Sequence, residues 1–129
     1  MTSYVRPTVL LVEDDRTTRD VFDYALRMEG FRVTLASDGL VALQLLEGKP
    51  PDVIVVDVDV PTVSGFDVHQ EVMAHADTRR IPIIFVVSTA SKTPTGVFQT
   101  LRKPISPDAL VAAVREALSN GEPANDEAD

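Results

Sequence analysis

Three charged groups in this sequence are placed where they could carry out chemistry together: Glu13-Asp14, Asp57 and Lys103. Each follows a stretch with the composition of a β-strand. Several carboxylates beside one ammonium group suit Mg²⁺, which binds through one or two carboxylates together with phosphate oxygens and waters. An ionised aspartate can also attack a phosphoryl group and form an aspartyl phosphate. The predicted chemistry is therefore magnesium-dependent phosphorylation of Asp57, with Lys103 supplying a positive charge for the phosphate.

The segment that precedes Asp57 has a composition typical of a β-strand. Residues 53–56 are four consecutive β-favouring apolar residues, bounded by Pro50-Pro51 before them and by Pro61 after them. Such a run predicts a strand that is buried on both faces at the centre of a parallel sheet. Because burying an unpaired charge is costly, we expect Asp57 at the carboxyl edge of the sheet, where open α/β sheets place their ligands.

Strand-like and helix-like segments alternate along the rest of the chain. Further strands are predicted at 8–12, 31–35, 83–87 and 97–101, and helices at 16–28, 40–47, 65–76 and from an N-cap at Ser106 to 118. This alternation predicts an α/β fold with a doubly wound parallel sheet of five strands. We expect one domain at 8–118, a leader at 1–7 and a disordered acidic tail at 119–129.

Apolar residues at helical spacing predict the buried face of each longer helix. The predicted inward residues are Val21, Tyr24, Ala25 and Met28 in the first helix, Val68, Val72, Met73 and Ala76 in the third, and Leu110, Val111, Val114, Ala117 and Leu118 in the last.

Composition narrows the classes of function. The 129 residues carry a net charge of −8, which argues against direct binding to the phosphate backbone of nucleic acids. The absence of cysteine excludes disulfides and thiolate metal sites, and it is compatible with the cytoplasm, where we expect the protein. No apolar run approaches the roughly 20 residues of a membrane span, so no membrane association is expected.

Taken together, these segments resemble the receiver domain of a bacterial two-component response regulator. The matching pieces, in family order, are Val9 to Asp15, Ala36 to Gly39 with Ala42-Leu43, Pro51 to Asp57, Pro61 with Gly65, Ile81 to Ile84, and Lys103-Pro104. They are distributed over residues 8–118, which is essentially the whole part of the chain predicted to be ordered. The resemblance implies a flavodoxin-like strand order of 2-1-3-4-5.

The resemblance also implies a role for each charged residue of the site. Asp57 would be the phosphoacceptor and Lys103 the phosphate-binding lysine. Asp14 would bind Mg²⁺ directly, Glu13 would bind it through water, and the backbone carbonyl of Asp59 would complete the metal ligands of the protein. The phosphoryl donor would be a histidine kinase or a phosphotransfer protein. The domain would not be an enzyme beyond slow phosphorylation and dephosphorylation of itself.

Two positions depart from the family pattern. The family has a hydroxyl residue at the end of the fourth strand. A match without a gap from Pro82 places Val87 there, so a slip of one or two residues is needed to reach Ser88 or Thr89. Thr89 is favoured because it keeps the alternation of the strand and is followed by alanine. The aromatic residue expected three positions before the lysine is Thr100, and strand parity would allow Phe98 to lie on the same face.

The region between the fourth and fifth strands is short. Residues 88–96 number nine, whereas parallel neighbours usually need a crossover of a dozen or more residues. The sequence therefore predicts an irregular connection in which the fourth helix is missing or much reduced. Apolar groups of the fourth strand should then be exposed, either Ile83, Phe85 and Val87 or Ile84 and Val86. Such a patch predicts that a homodimer or an effector partner docks at this edge.

Two other functions stay open on the sequence alone. A pseudo-receiver would have the same fold and act by protein contact without phosphorylation. A phosphatase of the haloacid-dehalogenase type is the other alternative, because Asp57-Val58-Asp59 after an apolar strand resembles its nucleophile motif.

Overall fold

A computed structural model of the chain describes residues 5–88 and 95–120. Strands and helices alternate within these residues until the fourth strand, as the sequence predicts. The elements are β1 (Thr8–Val12), α1 (Arg16–Met28), β2 (Arg32–Ala36), α2 (Gly39–Leu46), β3 (Val53–Asp57), α3 (Gly65–Ala74), β4 (Ile83–Val87), β5 (Gln99–Arg102) and α4 (Pro107–Asn120).

The five strands form one parallel sheet in the order β2-β1-β3-β4-β5. This confirms the flavodoxin-like order that the resemblance implied. Every residue of β3 and β4 is buried, because these strands are paired on both sides and covered on both faces. Their continuous apolar runs follow from that position.

Helices cover both faces of the sheet. Leu26 of α1 and Leu110 of α4 belong to the core on one face, whereas Ala42 of α2 and Val68 of α3 belong to the core on the other. Ser106 accepts a hydrogen bond from the Ala109 N–H (3.1 Å) and is the predicted N-cap of the last helix. None of the helices in the described residues is long and apolar enough to cross a membrane.

The buried face of α1 differs from the prediction. Val21, Tyr24 and Met28 are exposed, the last two to 67% and 66%, whereas Phe22 and Leu26 are buried. Apolar residues lie on two faces of this helix, and helical spacing fits both. Packing against the sheet selects the face that carries Phe22 and Leu26.

For α3, two of the four residues predicted to face inward are buried. Val68 and Val72 are buried, but Met73 is 43% exposed. Ala76 is exposed and lies beyond the end of the helix at Ala74. The helix ends early because the backbone of His75 is extended (φ −116°, ψ 135°), and the Thr78 hydroxyl donates a hydrogen bond to the Val72 carbonyl (2.7 Å) where the chain turns. The remaining predicted inward residues of α1 and α4 are buried or pack against the core: Ala25, Leu110, Val111, Val114, Ala117 and Leu118.

β5 begins at Gln99, two residues later than predicted, and this changes the face on which Phe98 lies. Thr100 pairs with Phe85, whose side chain is in the core beneath α2 and α3. Phe98 packs against the opposite core, beneath α1 and α4. The parity argument that placed Phe98 on the face of Thr100 is therefore wrong, because Phe98 precedes the strand.

The prediction of an exposed apolar patch on β4 is also wrong. All five residues of the strand, Ile83, Ile84, Phe85, Val86 and Val87, are at most 2% exposed. The rings of Phe66 and His69 on α3 meet Phe85 edge-on, with centroids 5.7 Å and 5.4 Å from it. Val97 packs against the same core. These contacts remove the reason for expecting a partner to dock at the edge formed by β4 and β5.

The connection between β4 and β5 comprises residues 88–98. Ser88 and residues 95–98 form no helix. Residues 89–94 lie outside the described residues, and the predictions of an irregular connection and of Thr89 as the site hydroxyl fall on them. Among the described residues, the helix that follows β4 in the chain is α4, which comes after β5.

Candidate functional site

The carboxyl edge of the sheet brings the predicted site residues together. Val12 of β1 pairs with Val56 of β3, so the next residues, Glu13 and Asp57, lie side by side. Both are 2% exposed. Lys103 directly follows β5, and its backbone N–H donates a hydrogen bond to the Val87 carbonyl (2.8 Å).

Three carboxylates form a cluster at this edge. Glu13, Asp14 and Asp57 each offer an oxygen, and these oxygens all lie within 4.8 Å of one another. Glu13 and Asp57 are buried, whereas Asp14 is exposed. The cluster therefore consists of hard oxygen donors with one side open to solvent. This donor set fits Mg²⁺, which keeps several waters when it binds to carboxylates.

Both oxygens of Asp57 have polar partners. Lys103 Nζ lies 2.5 Å from Oδ2, and the Asp59 N–H donates a hydrogen bond to Oδ1 (2.8 Å). Partial burial opposes the charge on Lys103, but the hydrogen bond and the negative charge of Asp57 outweigh it and raise the pKa of the lysine. The Asp57 side chain is thus held in place by the Lys103 ammonium group and by a backbone N–H of its own loop.

The surroundings of Glu13 disfavour its ionised form. Burial raises its pKa to about 7, and the charges of Asp57 and Asp14 act in the same direction, although the Asp15 N–H and Lys103 oppose them. The Asp15 N–H donates a hydrogen bond to Glu13 Oε2 (3.1 Å). A divalent cation among these carboxylates would favour the ionised form of Glu13.

The first turn of α1 fixes the loop that carries the acidic pair. Asp15 is the N-cap of this helix and accepts hydrogen bonds from the backbone N–H (2.9 Å) and the hydroxyl (2.7 Å) of Thr18. Arg19 donates a hydrogen bond from Nη1 to the Glu13 carbonyl (3.1 Å). The contact of Arg19 was not foreseen from the sequence. Its position one turn after the N-cap was the available signal.

The loop after Asp57 is packed too tightly for side chains at two glycines. A Cβ at Gly65 would lie 2.8 Å from the Asp57 carbonyl oxygen, and one at Gly39 would lie 1.7 Å from the Val63 carbonyl oxygen. Between them, Thr62 has a left-handed backbone with φ of 72°, which is unfavourable for a β-branched residue. The sequence analysis predicted Gly65 as the first residue of the third helix, and it included both glycines in the family match, but it did not foresee their contacts with this loop.

Of the two hydroxyl residues predicted for the site, Ser88 is among the described residues. Ser88 directly follows β4 and is half-buried. It lines a cleft of about 470 Å³ together with Lys103, Phe22 of α1 and Ile105. Thr89, the other predicted hydroxyl, lies outside the described residues.

Comparisons with known proteins agree with this geometry. A family model described as the response regulator receiver domain matches residues 9–115. The chain is 32% identical over 119 residues to the transcriptional regulatory protein CreB of Escherichia coli K12, covering 88% of this chain and 51% of that protein. It is 32% identical over 122 residues to AfsQ1 of Streptomyces coelicolor, covering 90% and 53%. The chain thus spans about half the length of these relatives.

Solved structures have the same fold. The chemotaxis response regulator CheY4 of Vibrio cholerae is similar with a TM-score of 0.80 and 27% identity, covering 88% of this chain and all of that one (100%). The receiver domain of the sensor histidine kinase PA1611 from Pseudomonas aeruginosa is similar with a TM-score of 0.82 and 29% identity, covering 90% and 100%. The latter structure has a magnesium ion coordinated in its active-site cleft.

Proposed function

The chain belongs to the response regulator receiver domain family, and on that premise we propose that it receives a phosphoryl group on Asp57. Phosphorylation of an aspartate is the general function of this family. The observation that carries the proposal for this residue is its place at the end of β3, where Lys103 lies 2.5 Å from one oxygen and the Asp59 N–H donates to the other.

The proposed reaction is a phosphoryl transfer from a phosphohistidine. An oxygen of Asp57 attacks phosphorus, so an O–P bond forms while the N–P bond of the donor breaks and its electron pair stays on the imidazole nitrogen. Lys103 then lies where it can pair with the negative charge of the transferred group. Either Ser88 or Thr89 would donate a hydrogen bond from its hydroxyl to a phosphoryl oxygen.

Mg²⁺ is the cation that we propose for the acidic cluster. Asp14 and Asp57 would bind it directly, Glu13 through water, and the Asp59 backbone carbonyl would complete the set. When bound, the ion would neutralise charge on the phosphoryl oxygens. The proposal is supported by three carboxylate oxygens within 4.8 Å of one another at an edge that is open to solvent.

A histidine kinase or a phosphotransfer protein is the proposed donor, and the cytoplasm the proposed location. We do not propose an enzyme with its own substrate, and any self-catalysed phosphorylation or dephosphorylation would be slow. The pseudo-receiver and the phosphatase that the sequence left open gain no support from the comparisons. Docking at the edge formed by β4 and β5 is not part of the proposal, because the side chains of β4 are buried.

The test is phosphoryl uptake from acetyl phosphate, followed by intact-protein mass spectrometry. With MgCl₂ the wild-type chain should gain one phosphoryl group that hydroxylamine removes, as expected for an acyl phosphate. Asp57→Asn should gain none, because an amide is not a nucleophile. Asp20→Asn is the matched control, since Asp20 is an exposed aspartate on α1. Uptake that persists in Asp57→Asn, or that resists hydroxylamine, would contradict the proposal.

A further inference from the structure

α2 exposes leucine side chains although one of its sides packs on the sheet. Its sequence, GLVALQLL, contains a single polar residue, Gln44. Ala42 is fully buried, but Leu40 and Leu45 are 44% and 37% exposed. A helix that is apolar on all sides is normally buried on more than one of them. The outer side of α2 is therefore an apolar surface available to a partner.

Part of this surface forms one wall of a cleft between α2 and α3. The cleft has a volume of about 610 Å³, and its apolar walls are formed by Leu40, Leu43, Leu46, Pro50 and Val72. The lining residues of α3 come from its second half and from the turn after it. Because helices of a parallel α/β sheet run back towards the amino edge of the strands, most of the cleft lies away from Asp57. It is separate from the acidic cluster.

The rim of the cleft is acidic. Glu47, Glu71 and Asp77 line it, together with His75, whose Nε2 lies 2.7 Å from Glu71 Oε2. No lysine or arginine is among the described residues that line the cleft. The nearest basic residues in the sequence, Lys49 and Arg79-Arg80, are exposed but do not line it.

We propose that this cleft binds a short basic segment of a partner protein, with leucine-like side chains in the apolar floor and lysine or arginine side chains at the rim. An apolar groove between two helices is the arrangement that accepts the apolar face of an amphipathic helix. Three carboxylates at the rim provide the complementary charge. A second copy of this chain would present the same carboxylates to one another and is disfavoured by repulsion. The inference is independent of phosphorylation at Asp57.

The probe for the test is a fluorescein-labelled peptide of twelve residues built from lysine and leucine at helical spacing, with a glutamate and leucine peptide of the same pattern as its counterpart. Fluorescence anisotropy with the full chain gives the affinities, and amide chemical shifts locate the site. The lysine peptide should bind at least about tenfold more tightly than the glutamate peptide. Its shifts should lie on α2 and on the second half of α3.

Two pairs of variants separate the cleft from a general attraction of positive charge. Leu40→Ser should weaken binding about fivefold, whereas Leu45→Ser should leave it unchanged, since Leu45 is similarly exposed on the same helix but does not line the cleft. Glu71→Gln should weaken binding about threefold. Glu116→Gln removes the same charge from an exposed position on α4 and should have no effect.

Equal loss of affinity in the two members of either pair would overturn the proposal, as would shifts confined to the acidic cluster around Asp57. A third arm uses n-octylammonium, which has the same apolar and cationic chemistry without a peptide backbone. If this amine shifts the cleft residues while the lysine peptide does not bind, the cleft accepts a small amphiphile and the proposal of a protein partner is wrong.

Discussion

Glu13 is a carboxylate that the fold both buries and places beside other carboxylates. Its pKa is raised from 4.5 to about 7, so the folded chain holds this proton more tightly than the unfolded chain does. Whatever metal-free stability Glu13 contributes is therefore fully present below pH 4.5 and is lost as the pH rises towards 7. This cost arises at the site where we propose that several carboxylates bind a cation together.

This leads to a prediction for the chain in EDTA. Between pH 4.5 and 7 the free energy of unfolding of the wild type should fall relative to that of Glu13→Gln, by at most about 3 kcal/mol. Glutamine has a similar shape and does not titrate, so other groups contribute equally to both curves. Urea unfolding at a series of pH values measures the difference. Parallel curves would show that Glu13 does not titrate in this range.

At the scale of single elements, α2 and α3 determine where the loop after Asp57 lies. Gly39 opens α2 directly beneath this loop, and its N–H lies 3.3 Å from the Pro61 carbonyl oxygen. Gly65 opens α3 against the backbone of Val58. The start of each helix is thus in contact with the loop that carries Asp59. A change at either glycine should act on the site without touching a charged residue.

Gly39→Ala should destabilise the chain by about 1–3 kcal/mol, because its Cβ would lie 1.7 Å from the Val63 carbonyl oxygen and the loop would have to move. Gly48→Ala is the matched control. Its Cβ would be 3.6 Å from the nearest atom, the Leu45 carbonyl oxygen, and no positive φ restrains it, so this change should be neutral or slightly stabilising. Urea unfolding gives both values, and similar effects of the two variants would contradict the proposed contact.

The packing of α1 gives a second prediction at this scale. Leu26 is fully buried, and Leu26→Ala should cost about 2–5 kcal/mol. Met28 is 66% exposed, and Met28→Ala should change stability by no more than about 0.5 kcal/mol. Thermal unfolding of the two variants compares the two faces of the helix. A larger effect of Met28→Ala would favour the face that helical spacing first suggested.

For the whole molecule, the metal site that we propose at the acidic edge would link metal binding to stability. A cation that binds only the folded chain stabilises it by mass action, by about 1.4 kcal/mol at a tenfold excess over its dissociation constant. We therefore expect MgCl₂ to raise the thermal midpoint of the wild type. Asp14→Ala should lose most of this increase, because it removes the exposed carboxylate of the cluster. NaCl at equal ionic strength is the control, and an equal rise in both proteins would contradict the assignment of Asp14.

The fold class and the charged residues of the candidate site could be predicted from the sequence. The apolar runs 53–56 and 83–87 indicate buried parallel strands, because both faces of such strands must be apolar. Strand ends in a parallel sheet share one edge, so Glu13, Asp57 and Lys103 could be placed together although they are far apart in the chain. The doubly wound order itself came from the family resemblance.

Tertiary structure alone decided which of several equivalent surfaces became buried. Helical spacing in α1 fits the face of Tyr24 and Met28 as well as that of Phe22 and Leu26, and contact with the sheet selects the second. A short connection after β4 suggested an open strand, but Phe66 and His69 reach across from α3 and cover it. Such contacts join residues distant in sequence, and local periodicity carries no information about them. The raised pKa of Glu13 has the same origin, because burial beside Asp57 exists only after the strands have paired.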